Sequence, residues 1–218
     1  MPSITKENYL KALFFLHQKN KDIAISDLSK SLDLSTPTAN NMVKKLQESG
    51  WVNYEKYKPI QLTSKGKKAA ALVIRKHRLT EIFLSDIMGF GWEEVHDIAE
   101  EMEHIKSEKL FDKMDEILGY PTMDPHGSPI PSKTGEVKQP AYKKLSECKK
   151  NSKVKLSSLA DSSAELLLFL NSKKIKLGTE LIILGIEPFD NSYTVAYDKV
   201  NSLMLSTAVC ERLLVLEV

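Results

Sequence analysis

Long apolar runs are missing from this chain of 218 residues: the longest, residues 69 to 74, falls far short of the roughly 18 that suggest a membrane span. The opening MPSITKENYL has no signal-peptide core. A cytoplasmic protein with no membrane partner is therefore expected. Cysteine is scarce as well. Cys148 and Cys210 stand far apart with no partner spacing, which argues against a disulfide framework and against a thiolate zinc site. The zinc-protease His-Glu-x-x-His pattern, Gly-rich phosphate loops and the Gly-x-Ser-x-Gly elbow are all absent.

What remains is ordinary globular material: 42% hydrophobic and 28% charged residues, enough to bury a core without staples. At about 150 residues per domain the length suggests one or two domains. The net charge of +2 hides a segregation along the chain. Residues 1 to 75 hold 13 Lys and Arg against 6 Asp and Glu, giving +7, whereas residues 76 to 120 hold 5 against 12, giving −7. A basic head precedes an acidic middle.

In the head, Leu10, Leu13, Phe14 and Leu16 recur at helical spacing over residues 6 to 19, with Thr5 as the expected cap and Asn8 in the first turn. Ile23 and Ile25 suit a short strand, and Ser26 suits the cap of a short helix carrying Leu28 and Leu32. Ser35-Thr36-Pro37-Thr38 then places a hydroxyl ahead of a proline, a helix opening whose buried stripe is Ala39, Met42, Val43 and Leu46, with Gly50 closing it. Its other side offers Asn40, Asn41, Lys44 and Lys45, short amides and cations suited to base edges and phosphates. Residues 51 to 63 alternate as a hairpin with Lys56-Tyr57-Lys58-Pro59 at its tip. Together these describe a winged helix-turn-helix, the plainer reading being a small helical domain with a solvated basic face.

Helices are expected from residues 63 to 88, from about 92 to beyond 104, and from 107 to 119. Five of the nine prolines fall between Pro121 and Pro140, marking a loop or linker and a domain boundary. Beyond it, residues 181–184, 193–197, 203–205 and 213–216 read as short strands of a small β-barrel, with one helix at 163–171.

The acidic middle carries His77, His96 and His104. On a helix, His96, Glu100, Glu103 and His104 project within roughly a 100° arc. His77 and Glu81 form an i, i+4 pair on the preceding helix. Imidazole and carboxylate without thiolate suit Mn²⁺ or Fe²⁺, while Zn²⁺ or Co²⁺ would bind at least as strongly. Isolated His/Glu pairs are common and structural, but this many carboxylates on facing surfaces repel unless a cation offsets them. Glu93-x-x-His96 and Glu101-x-x-His104 match the di-iron carboxylate element, yet both share one helix where two are needed. A regulator rather than an enzyme is expected.

HRLTEIFL at 77 to 84, WEEVHDIAEEMEHI at 92 to 105 and GYPTMDPHGSPIP at 119 to 131 resemble the diphtheria-toxin-repressor family of metal-dependent transcription regulators, over residues 3 to 131. Residues 154 to 218 resemble, more weakly, the SH3-like domain of many members. The resemblance implies a mainly α chain with a small β part: a winged helix-turn-helix (1–63), a helical metal-binding and dimerisation domain with a Pro-rich linker (64–140), and an SH3-like β-barrel (141–218). It implies a homodimer on a palindromic double-stranded operator, repressing manganese or iron uptake genes when Mn²⁺ or Fe²⁺ binds. Carried over by position, an ancillary metal site matches His77, Glu81 and His96, and a primary site matches Asn8, Glu100, Glu103 and His104. The DNA-contacting helix matches Ser35 to Lys45. Glu100 stands where iron-responsive members have Cys, as in the manganese-responsive branch. Asn8 replaces a Met or Asp, Lys11 replaces a second acidic ligand of one regulator type, and Glu165 is the neighbourhood candidate from the SH3-like domain. The alternative is a metal-independent winged-helix regulator whose His/Glu face is structural.

Overall fold

In the computed structural model, residues 2–56, 58–138 and 140–218 are described, with only the backbone described at Lys19. Tyr57, expected at the hairpin tip, lies outside them. Among the described residues no helix is long and apolar enough to cross a membrane.

The chain forms two units, the first comprising Met1–Thr80, Ala99–Thr122 and Ile130–Lys138. It opens with helices α1 (Ile4–Lys19), α2 (Ile25–Ser31) and α3 (Thr36–Glu48), then the two-stranded pair β1 (Val52–Asn53) and β2 (Gln61–Leu62). Leu10, Leu13, Leu28, Ala39, Val43, Leu46 and Ile60 are fully buried in one core, so the apolar stripes of all three helices meet the hairpin. Ser35 caps α3, its hydroxyl accepting from Thr38 N at 3.3 Å, and Pro37 follows in the first turn. Gly50 takes a positive φ of 73° just past the helix, as its position after the stripe required.

Two local expectations fail. Ile25 belongs to α2, whose cap position is Ala24 rather than Ser26. Only Ile23 keeps extended pairing, as a single bridge to Ile60. At α1 the cap position is Ser3 rather than Thr5, without a side-chain cap bond.

Helix α4 (Ser64–Asp86) starts hard against the hairpin. Thr63 Oγ1 accepts from Gly66 N at 3.0 Å and donates to Gly50 O at 2.8 Å. A Cβ on Gly66 would lie 2.0 Å from Trp51 O, so only glycine allows this approach. Helix α5 (Val95–Met102) is shorter at both ends than expected, and Glu103 and His104 form the turn after it. Helix α6 (Glu108–Ile117) is capped by Ser107, as its sequence implied.

The second unit comprises Glu81–Ile98, Met123–Pro129 and Gln139–Val218. Its strands are β3 (Lys143–Lys144), β4 (Lys153–Leu159), β5 (Glu180–Ile186), β6 (Tyr193–Tyr197), β7 (Val200–Leu205) and β8 (Leu213–Glu217), with helices α7 (Ala164–Ser172) and α8 (Thr207–Cys210). They pair antiparallel in the order β3-β8-β4-β5-β6-β7. Val154 and Leu156 of β4, Leu181 and Ile183 of β5, Val195 of β6 and Val215 of β8 alternate into one core that α7 covers with Leu166, Leu167 and Leu170. β3 and β4 had not been expected. β4 alternates as far as Leu156, where its register shifts, and its outward lysines and two serines dilute the apolar signal.

Candidate metal centre

In the first unit, α1, α4, α5 and the turn after α5 converge on one cradle of ionisable side chains. Glu103 lies at its centre with 0% of its side chain exposed. Its backbone continues the helical pattern for one step, Glu103 N donating to Ala99 O at 2.9 Å, after which the chain turns at His104. His77 of α4 donates through Nδ1 to Glu103 Oε2 at 2.8 Å, and lies 3.8 Å from Glu100 Oε1. From α1, Lys11 Nζ donates to Glu100 Oε1 at 2.5 Å and to both Glu103 oxygens at 2.7 and 2.9 Å. Burial alone pushes the Glu103 carboxyl up, but the hydrogen bond from His77 and the charge and hydrogen bonds of Lys11 hold it below the usual carboxylate range.

Glu7, one helical turn before Lys11, is buried and had not been singled out from sequence. His104 Nδ1 donates to Glu7 Oε2 at 2.6 Å, so the other ring nitrogen, Nε2, carries the lone pair and lies 3.6 Å from Glu103 Oε1. A carboxylate fixing one imidazole nitrogen while the other faces a second carboxylate is the arrangement that orients a histidine ligand. The signal for Glu7 was its i, i+4 spacing to Lys11 on the α1 face that also holds Asn8. Nearby, burial lowers the Lys76 ammonium from its ordinary value, against the pull of Glu7 and Glu103.

Two observations fit a divalent cation here. His77, Glu100 and Glu103 each present a ligand atom, all within 4.8 Å of one another. The carbonyl oxygen of Asn8 is buried with no hydrogen-bond partner, an unpaired acceptor that costs free energy unless something satisfies it.

The second unit holds another cluster, only half of it anticipated. Glu81, Asp124 and His126 are buried, with ligand atoms within 4.8 Å of one another. His96 Nδ1 lies 3.5 Å and His126 Nδ1 3.7 Å from Glu81 Oε1. His126 Nε2 donates to Trp92 O at 2.8 Å, which leaves Nδ1 as the acceptor on the Glu81 side. The Trp92 ring stacks on His126 with centroids 6.1 Å apart, and its Nε1 donates to Asn171 Oδ1 at 2.8 Å. Of the set expected as His77, Glu81 and His96, Glu81 and His96 lie in this unit, and His77 belongs to the first, where its Nδ1 donates to Glu103. Glu165 is exposed in the first turn of α7. Asp124 and His126 were missed because they sit in the Pro-rich stretch, which has no periodicity. That stretch is irregular as expected but tied down, Asp124 Oδ1 accepting from His126 N and Ser128 N at 2.9 and 2.8 Å.

The nucleic-acid candidates lie at the start and along α3 and on the hairpin. Ser35, Thr36, Pro37, Thr38, Asn41 and Lys44 are exposed, and Asn40 is half-buried. Tyr54 donates to Asn40 Oδ1 at 2.8 Å, leaving the Asn40 amide NH₂ as its outward group. Lys56 and Lys58 are exposed on the hairpin, and Lys58 pairs with Glu55 at 2.5 Å.

Residues 1–60 match the family described as iron dependent repressor, N-terminal DNA binding domain, and residues 63–132 that described as iron dependent repressor, metal binding and dimerisation domain. The iron-dependent repressor IdeR of Mycobacterium tuberculosis (strain ATCC 25618 / H37Rv) is 35% identical over 127 residues, 58% of this chain and 55% of that protein. The diphtheria toxin repressor of Corynebacterium diphtheriae is 32% identical over 127 residues, 58% of this chain and 56% of that protein. The chain thus spans about half the length of these curated relatives. Over nearly the whole chain, it resembles a solved manganese-dependent transcriptional repressor in complex with manganese, with a TM-score of 0.88 and 30% identity, covering 98% of this chain and 100% of the other. It resembles ScaR with bound Zn²⁺ at a TM-score of 0.81 and 29% identity, covering 100% of both.

Proposed function

The chain belongs to the family of iron-dependent repressors, and from that premise we propose that it is a metal-dependent DNA-binding regulator, a repressor of manganese or iron uptake genes switched on by Mn²⁺ or Fe²⁺. It acts in the cytoplasm as a homodimer on a palindromic duplex. Residues 1–63 serve as the DNA-reading domain, 64–140 as the metal-binding and dimerisation domain, and 141–218 as the SH3-like domain.

The observation that carries this reading is the cradle that ties α1 of the DNA-reading head to Glu103 and His104. Asn8 Oδ1, Glu100, Glu103 and His104 Nε2 would hold one cation, with Glu7 orienting His104. Glu81, His96, Asp124 and His126 would hold a second. A bound cation supplies positive charge to groups that otherwise repel one another. The oxygen and imidazole donors, with no thiolate, support Mn²⁺ or Fe²⁺ as the ion that acts in the cell, although affinity alone ranks Zn²⁺ higher. Because ligands come from α1 and from the turn after α5, metal favours whichever head position lets both reach it, and so biases the DNA-competent state.

On the DNA, α3 enters the major groove. Asn41 and the outward amide of Asn40 reach base edges, while Ser35, Thr36, Thr38 and Lys44 position phosphates from a helix start shaped by Pro37. Lys56 and Lys58 add backbone charge from the wing. In a two-fold dimer the recognition helices enter successive grooves about 34 Å apart. Substituting Glu103→Gln tests the assignment: the variant should lose metal-stimulated DNA binding while retaining weak, salt-sensitive binding. Unchanged stimulation rejects the cradle as the switch.

A further inference from the structure

Within the cradle the residue that least resembles a metal ligand touches the carboxylates at its centre. Lys11 Nζ contacts three carboxylate oxygens, Glu100 Oε1 at 2.5 Å and both oxygens of Glu103 at 2.7 and 2.9 Å, and only 12% of its side chain is exposed. An ammonium bridging two carboxylates in this way sits where a cation bridging the same oxygens would sit. We propose that Lys11 is a tethered stand-in for a second metal ion, which restricts this cradle to a single divalent cation. The inference rests on the metal-binding reading above.

Local charge supports it. Lys11 places one positive charge directly on the oxygens of Glu100 and Glu103, and the Lys76 ammonium, pulled by Glu7 and Glu103, adds a more distant one. Without Lys11, the carboxylates of Glu100 and Glu103 lose their contact cation, and their oxygens are already arranged to bridge another ion. Like-charged carboxylates this close are costly unless cations separate them, so the vacated position attracts whatever cation is available. The four-carbon stem matters as well. Lys11 lies one turn beyond Glu7 and on the face of Asn8, so a single helix delivers an orienting carboxylate, an amide oxygen and the built-in cation together.

The test counts metal and does not depend on DNA binding. The full chain is dialysed to equilibrium against Mn²⁺, bound metal is measured per chain, and electron paramagnetic resonance reports whether bound ions are isolated or paired. Wild-type protein and Lys11→Arg, which keeps the charge, should bind the same number, and the cradle ion should be magnetically isolated. Lys11→Met, which keeps the apolar stem, should bind about one more ion per chain and show the broadened signal of two ions sharing ligands. Lys11→Gln is the second neutral variant and should behave alike, so one folded neutral variant suffices, folding being checked by circular dichroism. An unchanged count and an isolated signal in a folded neutral variant overturn the proposal, because Lys11 is then a structural ion pair only. Failure of the metal reading looks different: wild-type protein would bind no Mn²⁺, or Glu103→Gln would bind as much as wild type.

Discussion

At the scale of single residues, the cradle shows how a hydrogen bond decides which nitrogen of a histidine is left to accept. Glu7 accepts from His104 Nδ1, which directs Nε2 toward Glu103, so in the proposed site Glu7 positions a ligand without being one. Replacing Glu7 by Gln removes the charge but keeps the shape. It should weaken Mn²⁺ binding by roughly 10- to 100-fold, measured by calorimetry, with little change in melting temperature. A variant that binds metal as tightly as wild type makes Glu7 a bystander. Six of the seven residues expected as metal ligands stood out because histidine and glutamate recur at helical spacing in an acidic segment, whereas Asn8 in the basic head came only from the family resemblance. Glu7, Asp124 and His126 did not stand out. Glu7 lies in the basic head, outside the arc formed by the α5 residues, and the other two belong to a stretch whose conformation is set by prolines and Asx-type bonds, which leave no period to read.

At the scale of elements, α3 could be read almost to the residue because Ser35 and Pro37 mark its start and Gly50 its end by backbone chemistry alone. The end of α5 could not, since the chain leaves the helix after Met102 although its charged pattern runs on through His104. β4 was hidden by its lysines, and Ile25 was drawn into α2 by the helix beginning two residues earlier than a Ser26 cap allows. The junction of wing and α4 depends on one glycine. Gly66→Ala would drive a methyl group into Trp51 O, forcing α4 away from the hairpin. This should cost roughly 1–3 kcal/mol, seen as several degrees in Tm by calorimetry, and an unchanged Tm would show that the junction yields freely. In the proposed complex the wing carries charge toward the duplex. Lys56→Ala and Lys58→Ala should each reduce the slope of log affinity against log salt by about one without altering sequence preference. The Glu55 partner of Lys58 is exposed and its pair is worth little, so it does not prevent that contact. A slope identical to wild type removes the wing from the interface.

At the scale of the molecule, the charge asymmetry noted in the sequence acquires a physical place. In the proposed reading the basic head is the nucleic-acid face, and the acidic middle supplies Glu81, Glu100 and Glu103 to groups of side chains whose potential ligand atoms lie within 4.8 Å of one another. The central claim is that a divalent cation in the cradle sets the competence of the head for DNA. The most direct measurement is fluorescence anisotropy of a labelled palindromic duplex, selected from a random pool with Mn²⁺-loaded protein. The full chain is titrated onto it at one fixed salt concentration with Mn²⁺ and again with chelator. Affinity should be tighter with metal by about 5- to 150-fold, the range of an ordinary coupling between two sites, and Glu103→Gln should abolish the difference. Stripped protein that binds the selected duplex as tightly as the loaded form would contradict that claim.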